Sequence, residues 1–298
     1  MRKNRPEVQN TIQKETGLEG VGLHTGNPSR IIFRPAPPNT GIRFFRSDLP
    51  DCPMIPARLS CVVATVRGTN LGLGDAKVHT VEHVLAAVTG VGIDNLDIII
   101  DANEPPAMDG SARPFFNALL SAGVQRYPDQ PKRHLHIREE VCYEDKGSVY
   151  RALPCEHFEI HATLLHDHPL VPKLEFSLRV EPESFAAEVA GARTFCFEHE
   201  VAFLRSQGLA QGGSLENAVV IGKDQIHTNA EGLRYPDEFV RHKVMDLIGD
   251  LTLIGRSLLK VRVETVRPGH AHNIEFAKLL NLSAIKMRGL ARDPAGHS

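Results

Sequence analysis

The sequence predicts an α+β protein, because strand and helix patterns are mixed along the chain without the strict alternation of a parallel α/β fold. Two segments, which begin at Thr80 and Asp237, have the apolar spacing of amphipathic helices. Runs of alternating apolar residues between 134 and 180 are typical of antiparallel strands. The 298 residues, of which 42% are hydrophobic and 23% charged, suffice for one large domain or two ordinary ones.

The first half is predicted to contain two strands, a helix, a third strand and a second helix, in the order 30–33, 41–45, 80–92, 96–100 and 111–123. Thr80 and Ser111 suit the N-cap positions of the two helices, because a hydroxyl can accept hydrogen bonds from free backbone N–H groups. Gly92 and Gly123 suit the C-terminal ends of the same helices.

The second half is predicted to begin with an antiparallel meander of four strands, at 134–141, 148–153, 157–165 and 174–180. The remaining segments are a glycine-rich stretch, a helix, a strand and a short helix, in the order 208–213, 237–251, 257–263 and 273–280. The best linker candidate is the proline-containing segment 127–131. We therefore expect an N-terminal domain at 1–130 and a C-terminal domain at 131–298.

Two short motifs carry the strongest functional signal in the chain. Within the helix from Asp237, His242 and Asp246 are four residues apart, so their side chains lie on one face, away from the apolar stripe. An imidazole and a carboxylate so placed can bind one divalent metal, and His83, in the helix from Thr80, can supply a third ligand. Three protein ligands with one open position are typical of a catalytic zinc site rather than a structural one.

Nearby residues have the chemistry needed to hydrolyse an amide at such a site. Glu82 stands beside the first histidine and can accept a proton from water, whose pKa zinc lowers toward ~7. Thr194 and Lys243 are candidates to hold the oxyanion of a tetrahedral intermediate. His270 is the candidate general acid, and Asp250 can raise the pKa of its imidazole.

A simpler interpretation of each motif alone is that its polar residues lie on a solvated helix face. Lys243 is then a surface cation and Thr194 an ordinary strand or turn residue. Asp250 fits this interpretation less well, because a carboxylate is unfavourable near the negative end of a helix dipole.

The composition argues against several other classes of protein. A net charge of −2, no tryptophan and 6% aromatic residues are untypical of a nucleic-acid-binding surface, so no nucleic-acid partner is expected. Five scattered cysteines without a C-x-x-C motif predict reduced thiols. No apolar run is long enough to span a bilayer, and no signal peptide is visible, so we expect a cytoplasmic protein without a transmembrane segment.

The order of its motifs makes the chain resemble one family, the UDP-3-O-acyl-N-acetylglucosamine deacetylases (LpxC), which are zinc amidases of lipid A biosynthesis. The motifs run in family order over nearly the whole chain: GVGLHTG at 20–26, TVEH at 80–83, GIDN at 92–95, MDGSA at 108–112, GARTF at 191–195, GGS at 212–214, FVRHK at 239–243 with Asp246 and Asp250, and GH at 269–270 with Asn273.

The resemblance implies a fold of two domains with similar topology, each a β-sheet with two helices, and with the helices packed together between the sheets. Each domain carries an insert, and the second insert, at about 197–220, is implied to form an apolar passage for an acyl chain. The substrate contacts that it implies are Leu23, Phe195, Leu204, Leu209 and Gly213.

The resemblance also implies a role for each candidate side chain. The implied metal ligands are His83, His242 and Asp246. The implied catalytic residues are Glu82, His270, Asp250, Thr194 and Lys243. The implied cofactor is Zn²⁺, with Fe²⁺ as the alternative. The implied reaction hydrolyses the N-acetyl group of UDP-3-O-(3-hydroxyacyl)-N-acetylglucosamine, releasing acetate and the free 2-amine at the committed step of lipid A biosynthesis. A monomer is expected.

Two alternatives remain open at this point. One is a zinc amidohydrolase of the same fold that acts on another N-acetylated sugar or nucleotide. The other is a metal-stabilised binding protein without catalysis, against which the presence of both Glu82 and His270 argues. Cys196 stands where the family usually has glycine, and the acyl length that the passage accepts is open.

Overall fold

The structure is a computed structural model that describes residues 7–258 and 260–290. The described strands of the first half are β1 (Val8–Ile12), β2 (Thr16–Val21), β3 (Pro28–Pro35), β4 (Ile42–Arg46), β5 (Met54–Pro56), β6 (Val62–Ala64), β7 (Asn70–Leu73), β8 (Ala76–Val78), β9 (Leu96–Ile100) and β10 (Val124–Pro131). Those of the second half are β11 (Val141–Asp145), β12 (Ser148–Pro154), β13 (Glu159–Leu164), β14 (Leu174–Arg179), β15 (Phe195–Phe197), β16 (Val219–Ile221), β17 (Ile226–His227) and β18 (Val261–Val266). The described helices are α1 (Glu82–Val91), α2 (Arg113–Ser121), α3 (Pro182–Ser184), α4 (Glu198–Ser206), α5 (Glu238–Thr252) and α6 (His270–Leu290), with a 3₁₀ turn at Leu59–Cys61 and a π turn at Phe185–Val189.

Two five-stranded sheets have the same topology. The strand order is β2-β3-β9-β4-β5 in the first and β11-β12-β18-β13-β14 in the second. In the first sheet β9 and β4 are parallel, in the second β18 and β13 are parallel, and every other neighbouring pair is antiparallel. This repeat confirms the α+β fold with two domains of similar topology. The position of the domain boundary stays a prediction.

The predicted meander of the second half is wrong in its pairing. Its strands form two hairpins, β11–β12 and β13–β14, and β18 lies between them as the central strand. Apolar alternation decides which face of a strand is buried but does not decide its neighbour in the sheet. Most of 134–141 is irregular, and the segment 127–131, predicted as a linker, belongs to β10, which pairs with β1.

The predicted N-caps of the first two helices are also wrong. Thr80 has a left-handed backbone with φ 52°, and Val81, which precedes α1, makes no side-chain capping hydrogen bond. Ala112 rather than Ser111 precedes α2. Gly92 ends α1 with φ 83°, as predicted, and α6 is much longer than the predicted helix at 273–280.

One hydrophobic core joins both halves of the described chain, and α1 and α5 pack against each other inside it. The close approach of the two helices depends on Gly249. A methyl group there would lie 2.1 Å from the carbonyl oxygen of Glu82, which is far inside van der Waals contact. In the part of the chain that the structure describes, no helix is long and apolar enough to cross a membrane.

Gly249→Ala is therefore expected to destabilise the protein. Overpacking costs about 1–3 kcal/mol and exceeds the ~1 kcal/mol that alanine gains over glycine within a helix. Urea unfolding should show a net loss of about 1 kcal/mol in the free energy of unfolding, which is the middle of the overpacking range less the gain in helix propensity. The control is Gly269→Ala, because a methyl group there meets nothing within 4 Å. Equal stability of the two variants would contradict the close contact.

Candidate active site

The helices α1 and α5 bring the three predicted metal ligands together. The Nε2 atoms of His83 and His242 lie 3.6 Å and 3.4 Å from Oδ1 of Asp246. One ligand atom from each of the three residues lies within 4.8 Å of the other two. The imidazole rings meet edge to face, with centroids 5.2 Å apart. The predicted geometry of three converging ligands is thus present.

The polar face of α5 is buried, so the simpler interpretation of a solvated helix face is wrong. His242, Asp246 and Asp250 are 2%, 1% and 0% exposed. A helix buried on every side needs partners for its polar groups. These three side chains have polar neighbours at the junction of the two halves.

The three ligands fit a divalent metal ion. Oδ1 of Asp246 is buried and has no hydrogen-bond partner within the described residues, a costly arrangement unless a ligand occupies it. The Nδ1 atom of His242 donates to the carbonyl oxygen of Ala192 at 3.2 Å, which leaves Nε2 as the free electron-pair donor. Burial lowers the pKa of His242 to about 3, so its imidazole is neutral, as a metal ligand must be.

Glu82 lies at the start of α1, beside the ligand set, and is 2% exposed. Its Oε2 atom accepts a hydrogen bond from the backbone N–H of Thr69 at 2.9 Å, and its Oε1 atom lies 3.9 Å from Nε2 of His270. Burial raises the pKa of this carboxyl group. A carboxylate with a raised pKa is a stronger base than an ordinary carboxylate. Its conjugate acid is still a stronger acid than water or an alcohol, so the group can return the proton that it accepts.

His270 begins α6 and is held by Asp250. Its Nδ1 atom donates to Oδ2 of Asp250 at 3.0 Å, while Nε2 points toward the ligand set, 3.7 Å from Oδ2 of Asp246. Burial alone lowers the pKa of this imidazole, but the carboxylates of Asp250, Asp246 and Glu82 together raise it to about 9. His270 is therefore charged near neutral pH and can donate a proton.

A buried hydrogen-bond network fixes Asp250 in turn. Its Oδ1 atom accepts from the hydroxyl of Thr69 at 2.5 Å, and its Oδ2 atom accepts from Nδ2 of Asn273 at 2.8 Å. The hydroxyl of Tyr150 donates to Oδ1 of Asn273 at 2.6 Å. Sequence reasoning missed Thr69 and Tyr150. No local signal identifies Thr69, since its three partners in the site, Glu82, Asp250 and His270, are 13, 181 and 201 positions away.

Another missed residue is Arg193, whose side chain is fully buried. Its guanidinium forms an ion pair with Glu238 at 2.8 Å, and its backbone N–H donates to the same carboxylate at 3.0 Å. Glu238 begins α5, and Arg193 precedes Thr194 in the chain. The pair therefore ties the GARTF segment to the helix that carries two of the ligands.

A cavity of 360 Å³ opens beside the ligands and continues under the second insert. The predicted substrate contacts and oxyanion candidates that line it are Leu23, Thr194, Phe195, Leu204, Gly213 and Lys243. Val201, Leu215 and Val220 add apolar surface, and Cys196 also lines it. Leu209, which follows α4, is not among the lining residues, and Asp250 lies behind His270 rather than in the cavity wall.

Lys243 faces this cavity but is engaged by its neighbours. Its Nζ atom donates to Oδ2 of Asp246 at 2.9 Å and lies 5.4 Å from the ring centroid of Phe195. The Phe195 ring also contacts the imidazole of His242, with 5.9 Å between centroids. The cation thus stands between the metal ligands and the aromatic wall, where it can contact a bound substrate.

Comparison with known proteins shows similarity over nearly the whole chain. Residues 9–281 match the family described as LpxC, UDP-3-O-acyl N-acetylglycosamine deacetylase. The UDP-3-O-acyl-N-acetylglucosamine deacetylase of Myxococcus xanthus (strain DK1622) is 45% identical over 270 residues, covering 91% of this chain and 85% of that protein. The protein of the same name from Anaeromyxobacter dehalogenans (strain 2CP-C) is 43% identical over 289 residues, covering 97% and 89%.

A longer relative matches only in part of its length. The bifunctional enzyme LpxC/FabZ of Chlorobaculum tepidum is 41% identical over 299 aligned residues, which cover 91% of this chain. The chain spans 64% of the length of that relative.

Proposed function

The chain belongs to the LpxC family of UDP-3-O-acyl-N-acetylglucosamine deacetylases, and from that membership we propose that it hydrolyses the N-acetyl group of UDP-3-O-(3-hydroxyacyl)-N-acetylglucosamine. The products are acetate and the free 2-amine, at the committed step of lipid A biosynthesis. The observation that carries the proposal is the buried Oδ1 atom of Asp246, which has no hydrogen-bond partner within the described residues and lies between the imidazoles of His83 and His242, with Glu82 and His270 beside it.

In this proposal His83, His242 and Asp246 hold Zn²⁺ or Fe²⁺. When bound, the metal supplies Lewis-acid activation of the amide carbonyl and of water. Glu82 accepts the proton that the attacking water loses, and the charged imidazole of His270 stabilises the oxyanion. His270 then gives its Nε2 proton to the departing nitrogen, so the amine leaves as a neutral group and acetate remains.

The remaining polar residues orient these two groups or the substrate. Asp250 keeps the Nδ1 atom of His270 as a donor, so that Nε2 carries the proton to be transferred. Thr194 is fixed through its backbone, which donates to Gly110 and accepts from Val219, both at 2.9 Å. Its side chain lines the cavity and can contact the developing oxyanion, as can Lys243.

The experiment that tests the proposed function is a direct assay of acetate release. The metal-loaded protein should deacetylate the acylated UDP-sugar and should act far more slowly on UDP-N-acetylglucosamine without the acyl chain. Equal rates on both, or on an unrelated N-acetylated sugar, would instead favour an amidohydrolase of different substrate range. No acetate release from any of them would favour a binding protein.

The apolar part of the cavity supports an acyl chain in the substrate. Leu204→Glu is expected to raise the KM for the acylated substrate at least tenfold, because an unpaired buried charge opposes an apolar chain. The KM for the substrate without the chain should change much less. The control is Phe203→Glu, the preceding residue, which is 63% exposed and does not line the cavity. Equal losses for both substrates would contradict the passage.

Two further expectations concern the setting of the enzyme. We propose that it acts in the cytoplasm, because its five cysteines are free thiols, as is usual in a reducing compartment. That the protein is a monomer stays a prediction, which light scattering on the purified protein would test.

A further inference from the structure

A second cavity, of 210 Å³, lies between the two halves, and none of the described residues that line it also lines the cavity of the candidate active site. The C-terminal parts of α1 and α5 form one wall of this cavity. Thr89 of α1 and Gly92, which follows α1, line it together with Ile248 and Thr252 of α5. The hydroxyls of Thr89 and Thr252 are in direct contact at 2.5 Å. Neither the proposed reaction nor the acyl passage uses this cavity.

The lining of this second cavity carries an excess of positive charge. Its cationic side chains are Arg58, Lys132, Arg133 and Arg256, and among the described residues that line it the only carboxylate is that of Asp94. Lys132 already neutralises that carboxylate, with Nζ 3.0 Å from Oδ2, and it also donates to the carbonyl oxygen of Gly92 at 3.2 Å. Lys132 therefore serves as a cap of α1, and Arg58 and Arg133 carry the excess charge.

Two of these arginines are exposed and available to a ligand. Arg58 has no hydrogen-bond or ion-pair partner for its side chain within the described residues. Arg133 donates from Nη2 to the side-chain oxygen of Asn39 at 3.1 Å, and a neutral amide leaves its charge uncompensated. Like charges around one concave site repel each other, and the site favours an anion for that reason.

The inner wall of the cavity is apolar. It is formed by Phe158, Val180, Ile248 and Leu258, which are 4%, 8%, 1% and 7% exposed. At the ~30 Å³ that one water molecule occupies in the liquid, the volume corresponds to about seven non-hydrogen atoms. A short apolar tail fits this space, while a large nucleotide does not.

We propose that this cavity binds a small amphiphilic anion. Its carboxylate or phosphate headgroup pairs with Arg58 and Arg133, and its tail of about six carbons contacts the apolar wall. An arginine pair suits both headgroups, because the guanidinium donates two parallel hydrogen bonds to either one.

Isothermal titration of the full-length protein tests this proposal with four probes. Hexanoate or hexyl phosphate should bind at least tenfold more tightly than inorganic phosphate, which lacks the tail, and than hexanol, which lacks the charge. The tighter of the two amphiphiles identifies the headgroup class. Binding of hexanol as tight as that of both anions would overturn the assignment of the arginines, and the absence of binding by both amphiphiles would overturn the site itself.

Paired variants locate the bound anion. The double variant R58Q/R133Q should lose at least tenfold in affinity for the better amphiphile, whereas R138Q, at an exposed arginine outside the cavity, should bind it as tightly as the unaltered protein. Leu204→Glu controls for entry into the acyl passage and should leave the affinity unchanged. A loss with Leu204→Glu and none with R58Q/R133Q would assign the anion to the passage and overturn the proposal.

Discussion

Replacing His242 with alanine is expected to abolish both metal binding and deacetylation. The change removes one of the three proposed ligands and leaves the Oδ1 atom of Asp246 with only His83 of that set beside it. Metal analysis after dialysis should find about one divalent ion per unaltered chain and far less in the variant. A chelator should inactivate the unaltered protein in the same way, and zinc should restore it.

Glu82→Gln is the matched change that separates metal binding from turnover. The amide keeps the shape of the carboxylate but cannot accept the proton, so the variant should hold its metal and lose about 10²–10⁴-fold in kcat. His161→Ala, on the solvent-facing side of the inner strand β13, is the control and should change neither quantity. A metal-loaded Glu82→Gln protein with ordinary kcat would refute the role of Glu82, and full metal content in His242→Ala would refute the ligand set.

The parts of the site that the sequence predicts best are those that depend on local geometry. His242 and Asp246 are four residues apart on one helix, and helical periodicity alone places them side by side. Asp250 lies on the same face of the helix, so its position also follows from helical periodicity. Only its partner, His270, had to be chosen from a distant part of the sequence. The direction of the pKa shift of His270 followed from that partner.

Contacts between distant segments could not be derived in the same way. The hydrogen bond from Thr69 to Asp250 joins positions 181 apart, and no periodicity relates them. The same limit explains why the positions of the central strands in the sheets could not be predicted. β9 and β18 each insert between two hairpins that are adjacent in the sequence. Leu204 lines the cavity beside the proposed ligands and Leu209 does not, a difference set by the end of α4 rather than by hydrophobicity.

The dependence of activity on pH is expected to change when Asp250 is replaced by asparagine. Catalysis requires the charged form of His270, so kcat is maintained below the pKa of this imidazole and lost as the pH rises through it. The neighbouring carboxylates raise that pKa to about 9, and a bound cation would lower it from there. Asp250→Asn removes one of the raising charges, so the basic limb of the kcat profile should move to lower pH.

His270→Ala tests the same assignment by removing the acid altogether. The variant should keep its metal, because His270 is not among the proposed ligands His83, His242 and Asp246, and its Nε2 atom lies 3.7 Å from Oδ2 of Asp246. Its kcat should fall by about 10²–10⁴-fold, and its basic limb should no longer report an imidazole. If His270→Ala kept near-normal kcat with metal bound, oxyanion stabilisation would pass to Lys243, whose Nζ atom is 2.9 Å from Asp246 and faces the same cavity.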